Sequence, residues 1–394
     1  MKNKAIAAIS KGYFDIPFYQ EKCRQIGIEL SDIVSYDDFL HIPFTVKEDL
    51  RNTSPYDRTL TAKNEIYGLY SSSGTTGNKT FYIYNHMDRE KQAVFVKRYF
   101  KAIGMKEGGL GATFAPIGSA VMGHCMMWQF QAMHMGMTIC ADLSPESLIE
   151  TVSKLPVTDI ATLPRVASSV YDKKEWRDIA RNSTVERFVL GGDFLSNARR
   201  RIIEEMWNAK VYDSFGMSEA FGPLANECSE QNGLHYIDDD LYIEIIDPDT
   251  LLPVKGDKIG VGVYTTLWAK GFPLLRYWSG DLFRRISEPC PCGSKLPRIE
   301  YFGRACDCVS INDTYVSPKQ VEEITLTANI KNCQVRLYDK KLALTYDELG
   351  VIPDKNTIEL LSELFSGQKV NSIPVSRDKL GLSRLKPKLI IDCR

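Results

Sequence analysis

Short strand-like runs alternate with helical patterns from about residue 66 to residue 214, and few architectures satisfy that order. Tyr67–Tyr70, Gly111–Ala115, Asp159–Leu163, Arg187–Leu190 and Lys210–Ser214 read as strands. Asp88–Ile103 and an apolar run over 124–135 read as helices among them. This alternation predicts an α/β domain with a largely parallel sheet, because parallel neighbours need long crossovers. After residue 233 the pattern becomes that of a more β-rich subdomain, with strands at Leu241–Ile246 and Gly262–Leu267, and a break falls near Gly303. Beyond the break come a helix near 318–328, strands near 333–346, a helix near 356–366 and a strand near 388–392. That is the content of a small α+β domain. The first 60 residues read as helical with breaks. One helix covers Asp32–Leu40 behind Ser31, and another is opened by Thr45 as N-cap with Glu48 three residues on.

Composition narrows the classes of function. A chain of 394 residues has room for two or three domains. Its 49 Lys and Arg against 50 Asp and Glu give a net charge of −1, which argues against a nucleic-acid coat or a polybasic membrane binder. No stretch approaches the roughly 18 apolar residues of a membrane helix. The apolar run behind Lys2 and Lys4 covers only residues 5–9, short for a secretion signal. A cytoplasmic location, with no nucleic-acid or membrane partner, is the expectation. Ten cysteines in a long chain suggest metal binding or chemistry rather than a disulfide scaffold.

The most specific local feature is Tyr70-Ser71-Ser72-Ser73-Gly74-Thr75-Thr76-Gly77-Asn78-Lys79-Thr80, directly behind a strand. Its glycines permit a tight turn that presents backbone N–H groups to an anion, its hydroxyls add donors and Lys79 adds charge. A triphosphate suits it. It is not a Walker A loop, because Ser73 and Asn78 stand where that motif requires glycine.

Ser72-Ser73-Gly74-Thr75-Thr76-Gly77 resembles the phosphate loop of the adenylate-forming superfamily of acyl-CoA synthetases and adenylation domains, most closely its phenylacetate–CoA ligase-like members. Further segments match in order: Ile42 to Arg51, Asp213-Ser214-Phe215-Gly216-Met217-Ser218-Glu219, Asn226-Glu227-Cys228 with Gly233-Leu234-His235, Leu275 to Asp281, Tyr301 to Arg304, and weakly Ser383 to Lys388. The resemblance implies a large, multi-subdomain N-terminal adenylation domain over 1–303 and a small mobile α+β lid over 304–394. It implies activation of a carboxylic acid by ATP with release of pyrophosphate, followed by acyl transfer to coenzyme A.

Roles follow residue by residue from the resemblance. Ser72, Ser73, Gly74, Thr75, Thr76, Gly77 and Lys79 would hold the β- and γ-phosphates, and Glu219 a Mg²⁺ ion, which favours hard oxygen ligands. Ser218 would contact the α-phosphate, and Phe215 and Gly216 belong to the same segment. Gly192 and Asp193 would lie beside adenine, Asp281 on the ribose hydroxyls and Arg304 near ribose or phosphate. Lys386 is the candidate lid lysine, with Lys388 close by. Met127, Trp128, Phe221 and Gly222 are candidates for an acyl pocket suited to a planar aromatic acid.

Cys228, His235, Cys290 and Cys292 form a Cys₃His set with the ligand types of a structural Zn²⁺ site. The rival set is Cys290, Cys292, Cys306 and Cys308. The first is preferred, because a clamp through Cys306 would block rotation at the expected hinge. Three positions depart from the family pattern: Cys306 replaces a hinge carboxylate, Asp313 a glycine in the loop expected to approach coenzyme A, and Leu385 the glycine before the lid lysine. The Asp313 departure keeps an acyl-carrier protein or an amine open as acceptor. A non-catalytic nucleotide-binding relative is the other reading, and a homodimer is a further option for assembly.

Overall fold

The computed structural model describes residues 5–6, 13, 15–72, 79–117, 121–220, 222–312, 314–381 and 388–394. β1 (Ile66–Ser71) and β2 (Phe81–Asn85) form an antiparallel ribbon on either side of the Ser/Thr/Gly loop. β3 (Leu110–Phe114), β4 (Gly136–Cys140), β5 (Asp159–Thr162), β6 (Arg187–Gly191) and β7 (Lys210–Met217) lie parallel in the order β4-β3-β5-β6-β7. β5 is buried along its whole length and β6 along all but its first residue, as expected of parallel strands covered on both faces.

The β-rich stretch continues this sheet rather than building a separate one. β8 (Gly222–Asn226), β9 (Leu234–Tyr236), β10 (Leu241–Ile246), β11 (Gly260–Thr266), β12 (Tyr277–Ile286) and β13 (Arg298–Arg304) follow β7 antiparallel, in the order β8-β9-β13-β12-β11-β10. The result is one eleven-stranded sheet that changes from parallel to antiparallel between β7 and β8.

Beyond it, β14 (Val309–Ile311) and β15 (Thr314–Val316) make a short hairpin. β16 (Cys333–Tyr338), β17 (Lys341–Asp347), β18 (Lys369–Val375) and β19 (Ile390–Asp392) form a four-stranded sheet in the order β18-β17-β16-β19. Helices Pro318–Thr327 and Lys355–Leu364 contribute Val321 and Leu361 to an apolar core of its own, which includes Val335, Leu344 and Phe365.

Helix Pro318–Thr327 meets helix Asn197–Trp207. Glu322 accepts from Ser196 Oγ at 2.7 Å and from Arg199 Nε at 3.1 Å, and Glu323 accepts from the Ala198 N–H at 2.7 Å. Carboxylates from the first helix thus satisfy free donors at the N-terminus of the second, where the helix dipole also favours them. Among the described residues, no helix is long and apolar enough to cross a membrane.

Two helix starts differ from expectation by a few residues. Ser35, not Ser31, caps helix Tyr36–His41, because Asp38 returns a bond to its backbone at 2.8 Å. Helix Lys47–Asn52 begins one residue later than the Thr45 and Glu48 pattern suggested, and Asp49 takes the Val46 N–H at 2.8 Å. Thr45 is engaged elsewhere: its hydroxyl donates to the Leu275 carbonyl at 2.7 Å and its N–H to the Arg276 carbonyl at 3.0 Å.

Arg276 anchors that junction. It has a positive φ of 44°. Its guanidinium donates to both Glu244 carboxylate oxygens, at 3.2 and 3.0 Å, and to the Leu40 and Ile42 carbonyls at 2.6 and 2.7 Å. Both side chains are almost fully buried, so removing one leaves an uncompensated charge. Replacing Arg276 by Met is expected to lower the unfolding free energy by about 3–5 kcal/mol. Denaturant unfolding with a change under about 1 kcal/mol would contradict this.

Candidate functional site

Open α/β sheets bind ligands outside the carboxyl ends of their strands, where the topology changes. By the strand order that reversal falls between β3 and β5, and the candidate residues gather beside it at the carboxyl ends of β6 and β7. Gly191 closes β6 against β7 so tightly that a Cβ would stand 2.7 Å from the Ser214 carbonyl oxygen. Gly192 follows with φ of 80°, a left-handed turn that favours glycine. The turn delivers Asp193, whose Oδ2 lies 3.8 Å from Arg165 Nε and whose Oδ1 accepts the Phe194 N–H at 2.9 Å. Phe215, on β7, packs its ring against Phe283 and Tyr301 at 5.0 and 5.1 Å. Gly216 approaches Gly222 across the β7–β8 pair, where a Cβ would meet the Gly222 oxygen at 2.5 Å.

Just past β7, Glu219 is 7% exposed. Its Oε1 lies 3.5 Å from Lys47 Nζ and accepts from the Tyr277 hydroxyl at 3.3 Å. Tyr84 donates to the Ser218 carbonyl at 2.5 Å, which fixes the turn that presents both residues. Asp281, on β12, faces Arg304 of β13 in register, with Arg304 Nε 4.0 Å from its Oδ1 and the Tyr301 hydroxyl at 3.3 Å. Arg304 lies within electrostatic reach of both Asp281 and Glu219, and Tyr301 within reach of both Asp281 and Asp193. Segments distant in sequence therefore converge on one polar site.

Ser72 and Thr80 clamp the neck of the Ser/Thr/Gly loop: Ser72 N–H donates to the Thr80 carbonyl at 2.9 Å, and Thr80 N–H to Ser72 Oγ at 3.1 Å. Lys79 is described and engaged. Ser73, Gly74, Thr75, Thr76, Gly77, Phe221, Asp313 and Lys386 lie outside the described residues. Lys388 is described. Its carbonyl accepts from Gln334 Nε2 at 2.9 Å, and its charge reaches Cys306 beside β13.

The buried hydroxyls Thr80 Oγ1 and Tyr82 OH make no hydrogen bond of good geometry among the described residues, although Tyr82 lies within electrostatic reach of Glu219. A buried carboxylate with unmatched hydroxyls nearby suits a hydrated magnesium ion and phosphate oxygens, both of which supply hydrogen-bonding partners.

The acyl-pocket candidates are distributed unevenly. Trp128 is buried among Tyr67, Tyr70 and His124, with the Arg89 guanidinium 5.2 Å from its ring, and Met127 packs at the same cluster's edge. Gly222 faces Gln92 and Cys125, at 2.6 and 2.8 Å from where a Cβ would stand. A largely apolar cavity opens beside Glu219 and Ala220, lined also by Tyr84, Leu224, Trp268 and Phe272. Its acids are already satisfied: Asp88 accepts the Lys270 and Gly271 N–H groups at 2.8 and 2.7 Å, and Asp240 pairs with Lys91 at 2.6 Å.

Sequence reasoning passed over Lys47, Tyr277, Tyr301 and Asp213 as site residues. All four lie inside the segments that carry the family resemblance, but only the fold gives them their surroundings. Asp213 is buried, and its N–H donates to Glu227 Oε2 at 2.7 Å. Burial, and then the charge of Glu227, push its carboxyl pKa up to about 7.

The ligand atoms of Cys228, His235, Cys290 and Cys292 all lie within 4.8 Å of one another. Cys228 and Cys290 sulfurs are 3.7 Å apart, and Cys292 Sγ is 3.6 Å from His235 Nε2. Tetrahedral zinc with Zn–S bonds of about 2.3 Å and Zn–N bonds of about 2.0–2.1 Å requires edges of about 3.8 and about 3.6 Å. The other ring nitrogen, Nδ1, lies 3.3 Å from the Leu296 carbonyl, the usual outer-shell partner of a metal-binding histidine. Cys306 and Cys308 stand outside this cluster. The four residues come from the β8–β9 connection, β9 and the β12–β13 connection, so a bound ion would clip those loops together.

The chain matches the family model described as "AMP-binding enzyme" over residues 20–271. It is 30% identical over 318 residues to a phenylacetate–coenzyme A ligase of Thermus thermophilus, covering 80% of this chain and 72% of that protein. In fold it is similar to 2-hydroxyisobutyryl-CoA ligase in the postadenylation state, with a TM-score of 0.84, 19% identity and coverage of 100% of this chain and 89% of that one. The same ligase in the thioesterification state gives a TM-score of 0.70 at 20% identity, over 99% and 88% of the two chains.

Two outcomes follow. Elemental analysis is expected to find about one zinc per chain. Replacing Cys292 by Ser, or prolonged chelation, is expected to lower the melting temperature, since metal binding is linked to folding. No zinc and an unchanged melting temperature would refute the site. Asp213 has a folded-state pKa above its unfolded value of 3.8, so its ionisation costs stability. That cost grows between about pH 4 and about pH 7 and is constant above. Replacing Asp213 by Asn should therefore give a melting-temperature advantage that widens over this window and then levels off. A pH-independent difference would contradict the assignment.

Proposed function

We propose an activity from the following premise: this chain belongs to the AMP-binding, adenylate-forming enzymes and is an AMP-forming ligase similar to phenylacetate–CoA ligases. It activates a carboxylic acid with ATP. A carboxylate oxygen attacks the α-phosphorus, the P–O bond to the β-phosphate breaks, and pyrophosphate leaves with the bonding electrons. The acyl-adenylate then passes its acyl group to the sulfur of coenzyme A, and AMP departs. An aromatic acid is the proposed substrate.

The observation that carries this reading is the convergence of Glu219, Asp281, Asp193 and Arg304 at the carboxyl ends of the central strands. Two anions must meet for the reaction to proceed, so positioning and charge neutralisation dominate the catalysis. In this reading the Gly191–Asp193 turn borders adenine and Asp281 takes the ribose hydroxyls. Ser218 contacts the α-phosphate, and the loop from Ser72 to Lys79 cradles the remaining phosphates. Glu219 would hold a magnesium ion, whose charge offsets that of the phosphates. The Cys₃His cluster holds zinc in a structural role. The cavity beside Ala220 receives the apolar part of the acid, since its acidic groups already have partners.

Residues 304–394 act as the mobile lid in this reading, hinged near Gly303 and Arg304. Lys386 meets the carboxylate and α-phosphate in the first step; Lys388, two residues on, has its charge within reach of Cys306 beside β13. Glu322 and Glu323 hold the lid in its present arrangement. The unequal similarity to two states of one ligase favours such a movement. Asp313 makes a carrier-protein thiol or an amine the alternative acceptor.

The test is pyrophosphate release from purified protein with ATP, Mg²⁺ and a panel of aromatic and aliphatic acids, each with and without coenzyme A. Acid-dependent release that is greatest with aromatic acids, with thioester formed when coenzyme A is present, is expected. Release without thioester would transfer the second step to another acceptor. No release with any acid, despite ATP binding, would overturn the catalytic reading.

A further inference from the structure

We infer that Lys47 is a phosphate-binding residue, whose ammonium leaves Glu219 to engage the β- and γ-phosphates of the nucleotide and then the departing pyrophosphate. This rests on the nucleotide reading above. Lys47 Nζ lies 3.5 Å from Glu219 Oε1, and its side chain is 33% exposed while that of Glu219 is 9% exposed. The ammonium therefore has a buried carboxylate on one side and access to solvent on the other. An ammonium carries three donors and no acceptor, so one long ion pair leaves capacity for oxyanions.

The backbone that carries Lys47 is held from several directions. Thr45 bridges Tyr277 in parallel, and the Trp278 N–H donates to the Thr45 carbonyl at 2.8 Å. Asp49 accepts from Lys22 Nζ at 2.6 Å and from the Val46 N–H at 2.8 Å. Tyr277, on the paired segment, donates to the same Glu219 oxygen. Such a frame fixes where the lysine side chain starts and leaves its flexible stem free to move a short distance.

A second observation points to an oxygen-rich ligand. Thr80 and Tyr82 are fully buried, and Thr80 Oγ1 and Tyr82 OH face each other and Glu219 without a hydrogen bond of good geometry among the described residues. Thr80 directly follows the Ser/Thr/Gly loop, and Tyr82 lies within reach of Glu219. Donors so loosely matched at that rim can turn to phosphate oxygens. With Lys47 turned to the phosphates, the Glu219 carboxylate would be free to hold a magnesium ion. No proton moves in this exchange; the lysine supplies charge as the P–O bond to pyrophosphate breaks.

The experiment is calorimetric titration of the full chain with inorganic pyrophosphate in metal-free buffer, alongside acid-dependent ATP–pyrophosphate exchange with Mg²⁺. Replacing Lys47 by Met is expected to weaken pyrophosphate binding at least about ten-fold and to raise the KM for ATP, while the KM for the acid stays unchanged. Lys47→Arg should restore binding to within a few-fold. Because Lys47→Met also leaves Glu219 without its counter-charge, the double variant Lys47→Met/Glu219→Gln, melting close to the wild type, is expected to show the same weakened pyrophosphate binding, which separates the effect from a folding defect. Wild-type affinity for pyrophosphate in Lys47→Met would overturn the assignment and leave the nucleotide reading intact. Failure of the wild type both to bind pyrophosphate and to catalyse exchange would overturn the nucleotide reading itself.

Discussion

A carboxylate buried at the end of a central strand must be matched, and the arrangement around Glu219 follows from that requirement. The desolvation cost of the charge is offset only if opposite charge and hydrogen-bond donors reach it. Lys47 and Tyr277 supply both, and they come from segments about 230 residues apart that the Thr45–Tyr277 bridge brings together. The N-terminal helices are thus tied to the sheet at the same place where the site forms. Arg276, next to Tyr277, completes the tie through Glu244 and two carbonyls of the N-terminal region.

The sheet explains why the site sits where it does. β7 is the last parallel strand, and β8 returns antiparallel beside it. The turn between them carries Ser218 and Glu219, and the close approach of Gly216 and Gly222 narrows it. Further along, the β12–β13 pair sets Asp281 opposite Arg304. The thiol–imidazole cluster joins the connections at the far ends of β8, β9, β12 and β13. A metal there would hold the antiparallel half of the sheet in the register that aligns Asp281 with Arg304.

Much of this was legible in the sequence where local chemistry is strong. The alternation from residue 111 marked β3, β5, β6 and β7 of the parallel half, whereas the strand expected at Tyr67–Tyr70 pairs antiparallel with β2 outside that sheet, and the Cys₃His set is brought together as its spacing suggested. β4, β8 and β9 escaped notice because three to five residues carry too little periodicity to distinguish a strand from a loop. The β-rich stretch seemed a separate subdomain because sequence pattern gives strands but not the sheet they join. Lys47 was overlooked for a related reason. As a residue in the first turn of a short helix it is unremarkable, and its partner is 172 positions away. Trp128, a pocket candidate from its place in a Met-rich apolar helix, packs its ring with Tyr67, Tyr70 and His124, contacts that no sequence pattern announces.

The most direct test of the central claim is a crystal structure with a non-hydrolysable acyl-adenylate analogue. Adenine beside the Gly191–Asp193 turn, ribose hydroxyls on Asp281 and the acyl group extending past Ala220 toward Phe272 are the result this account requires. An analogue bound away from Asp281 and Glu219, or absent at saturating concentration, would contradict it.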